Sequence, residues 1–132
     1  MNEPCFYRVS VKGIVIDQEG QVLLAREKNG SWDMLGGGLD HGEDPRACLI
    51  REVQEETGLI VTDVSEAPLH FLTAPNTDDT IFVANVIYGM TLKNLDFTPS
   101  EECQELRFVG KEEAQAQGLQ LLPNVQQLFS LL

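Results

Sequence analysis

Between Asp44 and Gly58 the chain spells out one helix with both ends marked, and this segment limits the possible folds more than any other. Asp44 suits the N-cap, where a side-chain oxygen accepts from the orphan amides of the first turn. Pro45 suits the first helical position, because its missing N–H would be unpaired there anyway. Gly58 suits the closing position, which favours a left-handed residue. At about 100° per residue Leu49, Ile50, Val53 and Thr57 fall on one arc, which is expected to be buried. Glu52, Glu55 and Glu56 stand at i, i+3 and i+4 on the opposite side and share one turn.

The rest of the chain reads mainly as strands. Residues 6–16 alternate and are rich in Val and Ile, 17–20 have turn chemistry, and 21–26 read as the returning strand of a hairpin. Asn29, Gly30 and Ser31 form another turn, and 32–35 are extended. Gly36, Gly37 and Gly38 follow as a glycine-rich turn before the helix. Residues 59–64, 69–73, 80–90 and 106–109 read as extended, with a loop over 75–79. A short helix over 111–117 is stopped by Gly118. Pro123 opens a further amphipathic helix carrying Val125, Leu128, Phe129 and Leu132. Strands interspersed with helices predict the α+β class: an α/β/α sandwich, a mixed β-sheet with flanking helices. With 132 residues, 42% of them hydrophobic, and no repeat or linker, one domain over 1–132 is expected.

Charge narrows the partners. The formal net charge is −12, and such a surface repels polyanions, so no nucleic acid polymer is expected as a partner. No apolar run approaches the roughly 20 residues that span a bilayer. Residues 1–4 carry neither the basic nor the apolar stretch of a secretory leader, so a cytoplasmic protein without membrane contact is expected. Cys5, Cys48 and Cys103 are odd in number and widely spaced, which fits reduced thiols, mostly small packing residues, rather than a disulfide or zinc framework.

Three glutamates within a helical turn repel by only about 0.2–0.5 kcal/mol per pair in water. A solvated acidic face is therefore acceptable, and energy alone does not separate it from a functional cluster. The neighbouring glycines supply the distinction. They let backbone groups approach a ligand with no side chain in the way. Mg²⁺ takes oxygen ligands in octahedral geometry, which carboxylates, a backbone carbonyl and phosphate oxygens can provide. A cation of this kind would also bridge an anionic protein and a small phosphate ester.

Gly37, five residues, Glu43, seven residues and then Arg51-Glu52-Val53-Gln54-Glu55-Glu56-Thr57-Gly58-Leu59 reproduce the Nudix box without a mismatch. At average residue usage a chance match at a given start is on the order of one in a billion. The chain thus resembles the Nudix (MutT-like) hydrolase family. Trp32 ahead of the glycines, and residues 106–109 followed by an acidic helix, are similar to the remainder of such a domain. Leu35 departs from the family, standing where many members have proline.

The resemblance implies a Nudix fold and a set of roles. Glu52, Glu55, Glu56 and the Gly36 carbonyl correspond to ligands of Mg²⁺, or Mn²⁺ in its place. Glu43 corresponds to the box glutamate that completes the network, and Arg51 to the arginine that orients the carboxylates and holds down their pKa values. Glu52 is one candidate general base; Glu101, Glu102 and Glu105, in a loop beyond the sheet, are the others, with exposed loop charges as their plainer reading. Arg26 resembles a phosphate-contacting position, against a simple strand-end charge. Asn124 lies where some relatives read a nucleobase, against a helix cap. Cys48, one turn before Glu52, reads as a packed residue, and His41 and His70 as structural. Trp32, Phe71 and Phe82 are expected in the core. The implied activity is hydrolysis of a phosphoanhydride in a nucleoside diphosphate derivative, foremost by a nucleoside triphosphate pyrophosphohydrolase. The short N-terminal stretch supports that choice over nucleotide-sugar enzymes that dimerise through an additional segment. ADP-ribose, nucleotide-sugar or dinucleoside polyphosphate hydrolysis stays open, as does a non-catalytic nucleotide-sensing domain. The expected partner is a small nucleotide, and the chain a monomer or homodimer.

Overall fold

The structure, a computed structural model, describes residues 3–76 and 78–132. Met1 and Asn2, part of the stretch read above for a leader, and Thr77, within the expected 75–79 loop, lie outside the described residues.

Strand β1 (Tyr7–Ile14) runs parallel to β7 (Phe82–Leu92) and antiparallel to β4 (Leu35–Gly38). Strands β5 (Val61–Val64) and β6 (His70–Pro75) pair antiparallel with different stretches of β7 and complete a mixed five-stranded sheet. A second, antiparallel sheet has β2 (Val22–Arg26) between β3 (Trp32–Asp33) and β8 (Glu105–Val109). Helix α1 (Pro45–Thr57) packs on β1, β4 and β5. Helices α2 (Lys111–Gln117) and α3 (Pro123–Leu131) belong to the other side, where α3 packs on β6 and β3.

Two apolar cores result. Val11, Leu35, Leu49, Val53 and Tyr88 lie in the α1 core, and Ile14, Trp32, Ile87, Leu128 and Phe129 in the other. Strand β2 feeds both: Leu23 and Ala25 enter the first, Val22 and Leu24 the second. That is the two-residue period of a strand buried on both faces. The α+β class and its α/β/α layering agree with the sequence reading.

Helix α1 starts and stops where the sequence places it. The Asp44 carboxylate accepts from the Ala47 amide at 2.9 Å, and Gly58 closes the helix at φ +75°. Other expectations change. The hairpin between 6–16 and 21–26 survives only as its turn, with a bridge between Ile16 and Val22. Both edges of β1 are taken by β4 and β7, so β2 diverges into the second sheet. The three glycines are a strand, not a turn, and residues 39–44 make the connection to α1. Ile50 is exposed over a surface groove beside β5, and Leu132 is exposed beyond the last helical turn. Phe71 and Phe82 are exposed rather than in the core; Phe82 meets Tyr7 edge-on at a 6.4 Å ring separation. Trp32 and Cys48 are buried as expected.

Leu49 has no accessible surface and anchors α1 to the first core. Leu49→Ala is expected to cost roughly 2–5 kcal/mol, measured by chemical denaturation. A change below about 1 kcal/mol would mean that α1 is not held by this core.

Candidate functional site

The acidic side of α1 lies against β4, and glycine makes that approach possible. Gly36 has φ +128°, and a Cβ there would strike the Val11 carbonyl oxygen of β1. A Cβ on Gly37 would enter the Glu52 carboxylate. The Gly36 amide donates to Glu56 Oε1 at 2.9 Å, so strand and helix are joined at the centre of the acidic cluster.

Arg51 organises the outer part of that cluster. Its Nε donates to Glu43 Oε2 at 2.9 Å, and Nη2 lies 2.8 Å from the same oxygen. Nη1 reaches Glu55 Oε2 at 3.1 Å and Glu52 Oε1 at 3.3 Å. The hydrogen bonds from Arg51 hold the Glu43 carboxyl below the usual range. In return, Glu43 and Glu55 raise the guanidinium pKa further, so it stays charged. Burial pushes the neighbouring Cys48 thiol up to about 11, which suits a packed residue and not a nucleophile.

The cluster opens into a cavity of about 540 Å³. Glu52, Glu56, the three glycines, Lys12, Glu27, Asp33, Glu101 and Glu102 are among its lining residues. Lys12, Glu27 and Asp33 also line a second cavity of about 170 Å³, which continues to Pro75, Asn85 and Asn124. Asn124 Nδ2 donates to Asp33 Oδ1 at 3.0 Å and to Asn85 Oδ1 at 3.3 Å. The Asn124 side chain is thus held on the wall of the second cavity, and its Oδ1 also accepts from the Val125 amide in the first turn of α3 at 2.9 Å, although the N-cap position itself is Leu122.

The structure sorts the residues named from sequence. It brings Glu52, Glu56 and Gly36 together at the larger cavity, with Arg51 and Glu43 behind them. Glu55 is 59% exposed and turned to Arg51, against 20% for Glu52. Consequently, among the described residues, no three His, Cys, Asp or Glu side chains converge as a ready cation cage. Glu101 and Glu102 line the cavity, whereas Glu105 is taken up by Arg26 at 3.2 Å and Arg107 at 3.5 Å. Arg26 donates to Glu105 and Gln104 and lines neither cavity. His41 and His70 also lie outside both cavity walls. Sequence reasoning missed Lys12, Glu27, Asp33 and Asn85. Lys12 alone carried a signal, as a charge set between Val11 and the apolar run Ile14-Val15-Ile16.

The donor set suits a hard divalent cation. Six carboxylates line the cavity, Glu52 and Glu56 beside the side-chain-free backbone of Gly36–Gly38, and every candidate ligand atom is oxygen. The cradle beside Glu52 is one that any Cβ at Gly37 would fill.

The NUDIX domain family matches residues 6–129. Nudix hydrolase 25 of Arabidopsis thaliana is 41% identical over 70 residues, which are 51% of this chain and 40% of that protein. The RNA pyrophosphohydrolase of Vibrio cholerae is 41% identical over 59 residues, 44% of this chain and 34% of that protein. The matched stretch therefore spans less than half the length of either relative. Among solved structures, the MutT protein of Methanosarcina mazei superposes with a TM-score of 0.69 at 25% identity, over 97% of this chain and 93% of that one.

Burial pushes the Glu56 carboxyl up to about 8, against the opposing pull of Lys12 and the Gly36 amide. The folded chain then holds a proton that the unfolded chain releases near 4.5, so stability falls as pH rises from about 4.5 to about 8. With divalent cations chelated, the urea midpoint is expected to drop across that window, and to drop less in Glu56→Gln. Equal pH profiles for the two proteins would show that Glu56 is not the group responsible.

Proposed function

The chain belongs to the NUDIX domain family, and from that premise we propose that it is a divalent-cation-dependent pyrophosphohydrolase acting on a nucleoside triphosphate. The single observation that carries this reading is the acidic cavity. Glu52 and Glu56 face the glycine strand there, and the cavity adjoins a smaller polar one. Together the two cavities match the several hundred Å³ that small-molecule sites occupy. Arg51 and Glu43, though outside the cavity wall, hold the helix carboxylates in place.

Glu52, Glu56 and the Gly36 carbonyl would hold Mg²⁺ or Mn²⁺, with Glu55 joining once released from Arg51. When bound, such a cation would supply charge neutralisation and Lewis acidity to the phosphate oxygens. The chain's own carboxylates do the rest. Glu52, tethered through one oxygen to Arg51, is placed to take the proton of the attacking water. Glu102, on the same cavity wall, is the alternative base. Arg51 keeps Glu43 ionised and orients both Glu43 and Glu52. In the smaller cavity, Asp33 and Asn85 take up the Asn124 amide hydrogens and Asn124 Oδ1 accepts from the Val125 amide, so Asn124 would meet the nucleoside end only through the remaining lone pair of that oxygen. Arg26 is left out of this reading, because Glu105 and Gln104 occupy its guanidinium. A net charge of −12 favours a small nucleotide over a nucleic acid polymer. One catalytic domain over 1–132, working in the cytoplasm as a monomer or homodimer, completes the proposal.

The test is a panel of nucleoside triphosphates, nucleotide sugars, ADP-ribose, dinucleoside polyphosphates and 5′-triphosphorylated RNA, each with and without Mg²⁺ or Mn²⁺, with products resolved. Cation-dependent release of pyrophosphate from a nucleoside triphosphate is expected. Glu52→Gln and Glu56→Gln should each lower kcat by about a hundredfold or more with the fold retained, and Glu55→Gln by less. A preference for another class would move the substrate assignment. Full activity in Glu52→Gln and Glu56→Gln, or turnover without a cation, would remove the proposed site.

A further inference from the structure

A buried lysine stands in the wall between the two cavities. Lys12 lies in the second half of β1 and is 6% exposed. Burying an ammonium is costly unless its N–H groups are met. Three acceptors meet this one: Asp33 Oδ2 at 3.1 Å, the Met34 carbonyl at 3.3 Å and the Gly36 carbonyl at 3.5 Å. An ammonium has three donors, so none is left over for a ligand. Lys12 is therefore arranged to hold the protein and not the substrate.

All three acceptors belong to residues 33–36, where the chain leaves β3 in one sheet and enters β4 in the other. Gly36 is gripped from both sides, its carbonyl by Lys12 and its amide by Glu56. Asp33, on its other oxygen, accepts from Asn124. One side chain thus ties the backbone beside the acidic cavity to the polar wall of its neighbour.

We propose that Lys12 is a positioning residue: its three-point hold on Asp33, Met34 and Gly36 sets the β4 backbone against which Glu56 is oriented, and thereby sets the cation affinity of the acidic cavity. The inference rests on reading that cavity as a divalent cation site. It also fixes the sign of a measurable effect. A positive charge close to a cation site weakens binding by Coulomb repulsion, so deleting that charge alone should tighten it. Loss of a positioning contact should weaken it, typically about 10- to 100-fold for groups that orient ligands.

The experiment measures Mn²⁺ dissociation constants on the full chain by electron paramagnetic resonance of free Mn²⁺, with urea denaturation in parallel. Wild type, Lys12→Met, Lys12→Arg and the double variant Lys12→Met/Asp33→Asn are compared. Lys12→Met leaves the Asp33 carboxylate without its cation and should lose stability. The double variant removes both charges and should recover stability while binding Mn²⁺ about tenfold or more weakly than wild type. Lys12→Arg keeps the charge but spreads it over a planar fork, and should also bind more weakly. If Lys12→Met does not fold, the double variant decides. Unchanged or tighter Mn²⁺ binding in the folded double variant overturns the positioning role and leaves the site itself standing. Failure of wild type to bind Mn²⁺ overturns the cation reading and this inference with it.

Discussion

The seating of α1's acidic side on β4 is the contact from which the candidate site follows. A helix cannot bring carboxylates onto a strand that carries side chains at the same level, and β4 has none at 36–38. Gly36 lies against the β1 backbone at a φ that other residues avoid, while Gly37 leaves space for Glu52. The Gly36 amide then fixes Glu56 directly. The two apolar cores keep helix and strand in register, with Leu49 and Val53 pressed beside Leu35 and Val11 in the first.

Electrostatics adds a second layer. Carboxylates gathered in one place raise one another's energy, and the fold answers with two cations on opposite sides of the cluster. Arg51 works from the outside, joining Glu43, Glu52 and Glu55. Lys12 works from the inside, paired with Asp33 and facing the strand backbone. Between them Glu52 and Glu56 stay directed at the cavity, and burial keeps Glu56 protonated well above the ordinary carboxylate range. A divalent cation bound there as proposed would have to displace that proton, which would link metal affinity to pH.

What the sequence made legible was local. Helix α1 and its caps depend on residues within a turn of one another, so Asp44, Pro45 and Gly58 marked it correctly. The Nudix box is likewise a short-range pattern and located Glu52, Glu56, Arg51 and Glu43. Strand pairing is not local. Nothing in residues 6–26 shows that β4 and β7 occupy both edges of β1, so the hairpin was expected as one ladder. The glycines looked like a turn because glycine propensity reports conformational freedom, whereas their use here is close packing. Glu55 shares a turn with Glu52 and Glu56, yet rotamer choice and Arg51 turn it outward, which spacing does not encode. Lys12, Asp33, Asn85 and Asn124 come from four different elements, and only the tertiary fold assembles them.

The proposed activity depends on the surface between α1 and the glycine strand capturing a divalent cation. Crystals soaked in Mn²⁺ at mildly alkaline pH, with diffraction recorded at the manganese edge, test it most directly. Anomalous density bounded by the carboxylates of Glu52 and Glu56 and the carbonyl of Gly36 is the expected result. Manganese bound elsewhere, with those carboxylates left as they are in the metal-free protein, would contradict it.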